Sequence, residues 1–112
     1  MFALHARVIV VLAFALFSAQ AGGATQSALT ITPVGASVEI PATLIKPDGD
    51  GQFPAVVIVH DCSGLGQRSS GAPMRWAEEL VQQGYVVIIP DSFTTRGFAD
   101  GVCFIPGSQT VS

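Results

Sequence analysis

The sequence predicts an α/β fold built from an antiparallel strand pair followed by one strand–helix–strand unit. Three observations carry this. Residues 54–60 (Pro-Ala-Val-Val-Ile-Val-His) and 85–91 (Tyr-Val-Val-Ile-Ile-Pro-Asp) are continuous apolar runs, as parallel strands buried on both faces require. The segment between them places Trp76, Ala77, Leu80 and Val81 at helical spacing, with Glu78, Glu79, Gln82 and Gln83 on the other side. Upstream, residues 28–32 and 38–45 alternate apolar and polar side chains, the period of half-buried strands.

The elements follow in chain order. Residues 28–32 and 38–45 read as an antiparallel pair at the margin of a sheet, with Pro41 marking an edge or a bulge. Residues 46–52 form a turn, because glycine reaches positive φ and proline fixes its own. Asp48 and Asp50 resemble the start of a calcium loop. The later positions hold Gln52, Phe53 and Val59 where a third carboxylate, a glycine and a glutamate would be needed, so no metal site is expected. Pro73 suits the first turn of the helix, Gly84 is placed to end it, and the crossover should be right-handed. Trp76 is assigned to the core. One helix covers one face of a sheet, and nothing in residues 92–112, rich in Gly, Ser and Thr, shows a helical stripe for the other. Truncation, dimerisation through the sheet, or poor folding would each follow, and truncation is the favoured expectation.

The chain has 112 residues, 49 % hydrophobic and 12 % charged, which excludes a disordered or nucleic-acid-binding tail. A short basic start, ten apolar residues from Val8 to Phe17, and Ser18-Ala19-Gln20-Ala21 have the form of a cleavable signal peptide. The apolar run is half the length a bilayer span needs, so no stable membrane anchor is expected. Residues 1–21 are therefore assigned to the signal peptide and 22–112 to the mature domain, exported to the periplasm or secreted. Loss of Arg7 leaves four basic against eight acidic residues, which argues against nucleic-acid partners. Both cysteines, Cys62 and Cys103, remain in a compartment where disulfides persist.

The chemistry concentrates in His60-Asp61-Cys62-Ser63-Gly64-Leu65-Gly66, directly after the first buried strand. Ligands of open α/β sheets bind beyond the carboxyl ends of the strands. A turn there can aim backbone N–H groups at a developing oxyanion. Residues 54–64, then 76–93 from Trp76 to Phe93, with the Arg96-Gly97 pair beyond Pro90-Asp91, resemble the dienelactone hydrolase family over residues 38 to 104, in particular an exported branch with a cysteine after the strand. The resemblance implies an α/β-hydrolase fold, present here as its N-terminal part and truncated before the nucleophile elbow. It also implies hydrolysis of a small ester or lactone, without a cofactor. It implies that Cys62 lends its backbone N–H to an oxyanion hole, that Asp61 lies near the resting nucleophile, and that Arg96 meets a substrate carboxylate, in a loop one residue longer than the family pattern.

The chain departs from that family in having no Gly-x-Ser-x-Gly or Gly-x-Cys-x-Gly anywhere, so the covalent step of acyl transfer has no nucleophile and the chain alone should be inactive or nearly so. His60 is read as shaping the loop by a hydrogen bond rather than as the triad base. Asp61 is read as capping local N–H groups, Asp91 as organising its loop, and Ser63 is not read as a nucleophile. Cys62 and Cys103 follow the ends of adjacent strands, so a disulfide is expected, with two free thiols as the alternative. Two other functional classes stay open. One is a non-catalytic exported protein that dimerises through its sheet. The other is a nucleotide-binding module using Gly64-Leu65-Gly66 and Asp91, although Ser69 stands where the third glycine would be and Asp61 would repel a pyrophosphate.

Overall fold

The computed structural model describes residues 22–103, 105 and 106; the signal-peptide assignment, residues 1–21, lies outside them. The elements run β1 (Ala24–Ile31), β2 (Ile40–Pro47), β3 (Ala55–Val57), α1 (Ala72–Gln82), β4 (Val86–Pro90) and a 3₁₀ turn, Thr94–Arg96. The strands form one mixed sheet in the order β1-β2-β4-β3. β1 and β2 pair antiparallel from Ala24↔Pro47 to Ile31↔Ile40. β2 pairs antiparallel with β4, and β3 lies parallel to β4 with Val56 opposite Val87.

The strand–helix–strand unit and the antiparallel pair are thus present, with two shifts of boundary. β1 begins four residues earlier than its alternating segment, because the ladder with β2 extends through the small and polar residues 24–27. The regular part of β3 is only Ala55–Val57, although the Ile58 amide still donates to the Ile88 carbonyl at 2.9 Å. Pro41 does not mark an edge, since β2 is internal, between β1 and β4. It is the second residue of its strand, where a missing donor costs little, and its carbonyl accepts the Asp91 amide at 2.7 Å.

Side chains alternate across a strand, so Val87 and Ile89 of β4 face one way and Val86 and Ile88 the other. The first pair packs under α1 with Ile45, Ala77 and Val81, the buried cluster of the domain. Helix α1 begins at Ala72 with Pro73 in its first turn. Upstream hydroxyls serve its first amides: Gly71 N–H donates to Ser69 Oγ at 3.1 Å and Ala72 N–H to Ser70 Oγ at 3.3 Å. The helix stops as expected at Gly84, which takes φ 88°, while Tyr85 N–H turns back to the Leu80 carbonyl at 3.0 Å.

Trp76 is not in the core; it is 64 % exposed. At roughly 100° per residue, Pro73, Ala77 and Val81 define the buried line of α1, and Trp76 points about a quarter-turn away from Ala77. The apolar stripe read from the sequence is one residue too wide. The opposite face of the sheet is open, as the single helix implies. Val57 is 59 % and Val59 78 % exposed, and Val57 lies opposite Ile88 in the register.

The two assignments separate in a urea titration. Ile89→Ala, at a site 2 % exposed, should cost about 3 kcal/mol through lost burial and the cavity left behind. Trp76→Ala should cost less than about 1 kcal/mol, as expected of an exposed side chain.

Candidate functional site

β3 and β4 run parallel, so their carboxyl ends release two loops side by side, residues 58–66 and 91–103. The first turns sharply on Asp61. Its carbonyl accepts the Gly64 amide at 3.1 Å. Its carboxylate Oδ1 accepts the Ser63 amide at 2.8 Å and the Ser63 hydroxyl at 2.5 Å. The other oxygen takes the Ser70 hydroxyl at 3.4 Å, and the Ser70 amide donates to Ser63 Oγ at 3.0 Å. Asp61 therefore caps local N–H groups, the role read for it, and ties the turn to the residues before α1. The Ser63 hydroxyl is committed to Asp61. Hydrogen bonds from the Ser63 side chain and amide, with Ser70 and the nearby His60 adding to them, hold the Asp61 carboxyl below the usual carboxylate range.

The second loop is organised by Asp91 in the same manner. Its carboxylate accepts the amides of Phe93 and Thr94 at 3.1 and 3.0 Å and the Thr94 hydroxyl at 2.5 Å, capping the 3₁₀ turn Thr94–Arg96. Partial burial pushes its carboxyl up, but the Thr94 hydroxyl, the Thr94 and Phe93 amides and the nearby His60 outweigh it, and the net shift is downward.

Three links join the loops. Cys62 and Cys103 form a disulfide, with Cα atoms 5.0 Å apart. The Val102 amide donates to the Cys62 carbonyl at 2.7 Å. Gly101, at φ 82°, lies so close beneath the turn that a Cβ would stand 2.6 Å from the Cys62 carbonyl oxygen, so only glycine fits. The third link is His60. Its Nδ1 lies 2.8 Å from the Asp61 carbonyl oxygen. Its Nε2 lies 3.2 Å from the Ser92 amide and 3.0 Å from Ser92 Oγ. The ring meets Phe93 edge-on, with centroids 4.5 Å apart. His60 does shape the loop by hydrogen bonding, in both directions at once.

Of the residues singled out in the sequence, the structure gathers Asp61, Cys62, Cys103 and His60. Arg96 ends the 3₁₀ turn and is exposed, with no contact to the Asp61 turn among the described residues. Ser92, Ser70, Phe93 and Gly101 belong to the site and were given no part in it by sequence reasoning. Asp61-Cys62-Ser63 carried an Asx-turn signal, but nothing local announces that Ser92 reaches His60 across 32 residues. Within the turn the Ser63 and Gly64 amides are spent on Asp61, whereas the Cys62 amide has no acceptor among the described residues. Gly64-Leu65-Gly66 does not open α1, which starts at Ala72 after Gly71, so it lacks the strand-to-helix geometry of a dinucleotide-binding turn. Among the described residues no three His, Cys, Asp or Glu side chains are grouped to hold a metal ion, and no helix is long and apolar enough to cross a membrane.

A mixed sheet with a parallel pair, a crossover helix and a turn offering an amide at the strand ends is the α/β arrangement of a partial hydrolase fold. The sequence profile of the dienelactone hydrolase family matches residues 40–105, more than half of the chain. The chain belongs to the dienelactone hydrolase family. Its fold resembles a crystal structure from Klebsiella pneumoniae subsp. pneumoniae MGH 78578, provisionally named a dienelactone hydrolase, with a TM-score of 0.50 and 24 % identity. The match covers 64 % of this chain and 28 % of that one, so this chain spans less than a third of that protein's length. No curated protein sequence matches it.

Two outcomes follow for the loops. Thiol titration of the unreduced, denatured protein should find no reactive thiol, and Cys103→Ser should destabilise the domain by up to about 4 kcal/mol, the chain-entropy value for a bridge of this span. Because the Asp61 carboxyl is lowered in the folded state, its hold on Ser63 is present above the ordinary carboxylate value and disappears as pH falls through the lowered one. The Ser63 amide resonance should therefore show an acid transition below pH of about 3.9, and Asp61→Asn should abolish it.

Proposed function

We propose that this chain carries the oxyanion-binding part of an exported carboxylic ester or lactone hydrolase. The observation that supports this best is the Cys62 amide. In a turn whose Ser63 and Gly64 amides are spent on Asp61, it has no acceptor among the described residues, and the disulfide and Gly101 fix it in place. A preorganised N–H of this kind stabilises charge that appears only in the transition state. Asp61 stands beside that position as a carboxylate. An open hollow of about 290 Å³ between Leu65, Gly66, Ser69, Met74 and Ile89 would take the apolar part of the substrate, and Arg96 would meet a substrate carboxylate.

The same reading makes the chain inactive by itself. Cys62 and Cys103 are bonded to each other. The Ser63 hydroxyl is committed to Asp61. The Ser92 hydroxyl reaches His60 Nε2, but the single lone pair there also takes the Ser92 amide, so the proton-accepting position is filled. Export is part of the proposal, resting on the leader-like residues 1–21 and on a disulfide that an oxidising compartment preserves. The open sheet face with Val57 and Val59 favours a second reading, a non-catalytic dimer formed through that face.

The test pairs binding with turnover. The purified oxidised protein should hydrolyse p-nitrophenyl acetate no faster than buffer, while methylphosphonate, an analogue of the tetrahedral oxyanion, should shift the Cys62 amide resonance first. A Cys62 resonance that ignores the anion would overturn the oxyanion reading, and a dimer at micromolar concentration would favour the second.

A further inference from the structure

The imidazole of His60 stands between one group that can only accept and one that can only donate. The Asp61 carbonyl oxygen, 2.8 Å from Nδ1, has no proton to give, so Nδ1 carries the hydrogen. The Ser92 amide, 3.2 Å from Nε2, has no lone pair to offer, so Nε2 is bare. These partners fix one neutral tautomer by elimination.

We propose that His60 is a positioning residue that holds the Ser92 amide to the Asp61 turn only as the neutral Nδ1–H imidazole, and that protonation of the ring releases that amide and leaves the Ser92 hydroxyl as the ring's one hydrogen bond to the Asp91–Arg96 loop. A second proton can enter only at Nε2. It converts the sole acceptor for the Ser92 amide into a donor, which the Ser92 hydroxyl oxygen, 3.0 Å away, can accept and the amide cannot. The bond to the Asp61 carbonyl survives, so the ring stays with its own turn, keeps the Ser92 side chain and releases the Ser92 amide. The charged groups acting on His60 are Asp61, in its own turn, and Asp91, at the end of β4. Both are carboxylates held in the ionised form. The disulfide still joins Cys62 to Cys103, so the change falls on the backbone at Ser92. The consequence for catalysis rests on the hydrolase reading: acid would loosen the backbone that leads to Arg96 while leaving the Cys62 amide clamped.

The experiment needs no turnover. In ¹⁵N-labelled oxidised protein at neutral pH, long-range imidazole spectra should show His60 protonated at Nδ1 and bare at Nε2. The Ser92 amide should be protected from hydrogen exchange, and that protection should vanish in step with the His60 ring resonances as pH is lowered. His60→Gln, which keeps an acceptor within reach of Ser92, should retain the protection and remove its pH dependence. His60→Asn, which keeps only the donor side, should lose the protection at every pH. A merely structural ring would show no loss of protection with pH in the unaltered protein, and so no difference in pH dependence between it and His60→Gln. An Nε2–H tautomer in the unaltered protein, or Ser92 protection that persists after the ring is protonated, would overturn the proposal. So would labelling of Ser92 by a fluorophosphonate, which would make the Ser92–His60 pair a nucleophile and base instead. Failure of the Cys62 amide to respond to methylphosphonate, with the Ser92 result intact, would remove the hydrolase reading and leave the coupling standing.

Discussion

Strand β4 is the constraint on which the rest of the domain depends. It is hydrogen-bonded on both sides, antiparallel to β2 and parallel to β3, and it supplies Val87, which is fully buried, and Ile89 to the face under α1. Its alternation fixes which apolar side chains are covered and which are not. Its carboxyl end also fixes the site: because β3 is parallel to it, the turn at His60 and the loop at Ser92 emerge at the same height. Without the parallel pairing, the three links between these loops would have no common place to form.

Those links differ in kind. The disulfide and the Val102–Cys62 hydrogen bond hold two backbones together whatever the protonation state of nearby groups. The His60–Ser92 contact depends on one lone pair. The Asp61 and Asp91 turns are local, each carboxylate collecting amides from residues two or three positions ahead. The site is thus two independently folded turns joined by a disulfide, a backbone hydrogen bond packed over Gly101, and the His60–Ser92 contact.

The parts legible in the sequence are those set by local chemistry. Gly84, Pro73 and the run Val86–Pro90 announced α1 and β4 because capping, φ restriction and continuous apolar character act over a few residues. The Asp61 and Asp91 turns were readable for the same reason, and the cysteine pairing followed once both residues were placed at strand ends. What was misread depended on packing. Trp76 has the composition of a core residue, but the sheet beneath α1 is too narrow to cover the helix flank where it sits. Pro41 looked like an edge marker because its tolerance at the start of an internal strand depends on a neighbour, β4, some fifty residues away. The His60–Ser92 contact was invisible since both residues are ordinary in their own segments.

The open face of the sheet carries a consequence for handling. β3 is the edge strand of the described sheet, and the open face along it presents Val57 and, two residues past its end, Val59. An exposed apolar edge of this kind is a template for strand addition. Colloidal behaviour is then governed less by the acidic net charge than by this one strip. Its tendency to stack on a second chain rises with protein concentration and with salt, which screens the charge repulsion that keeps chains apart.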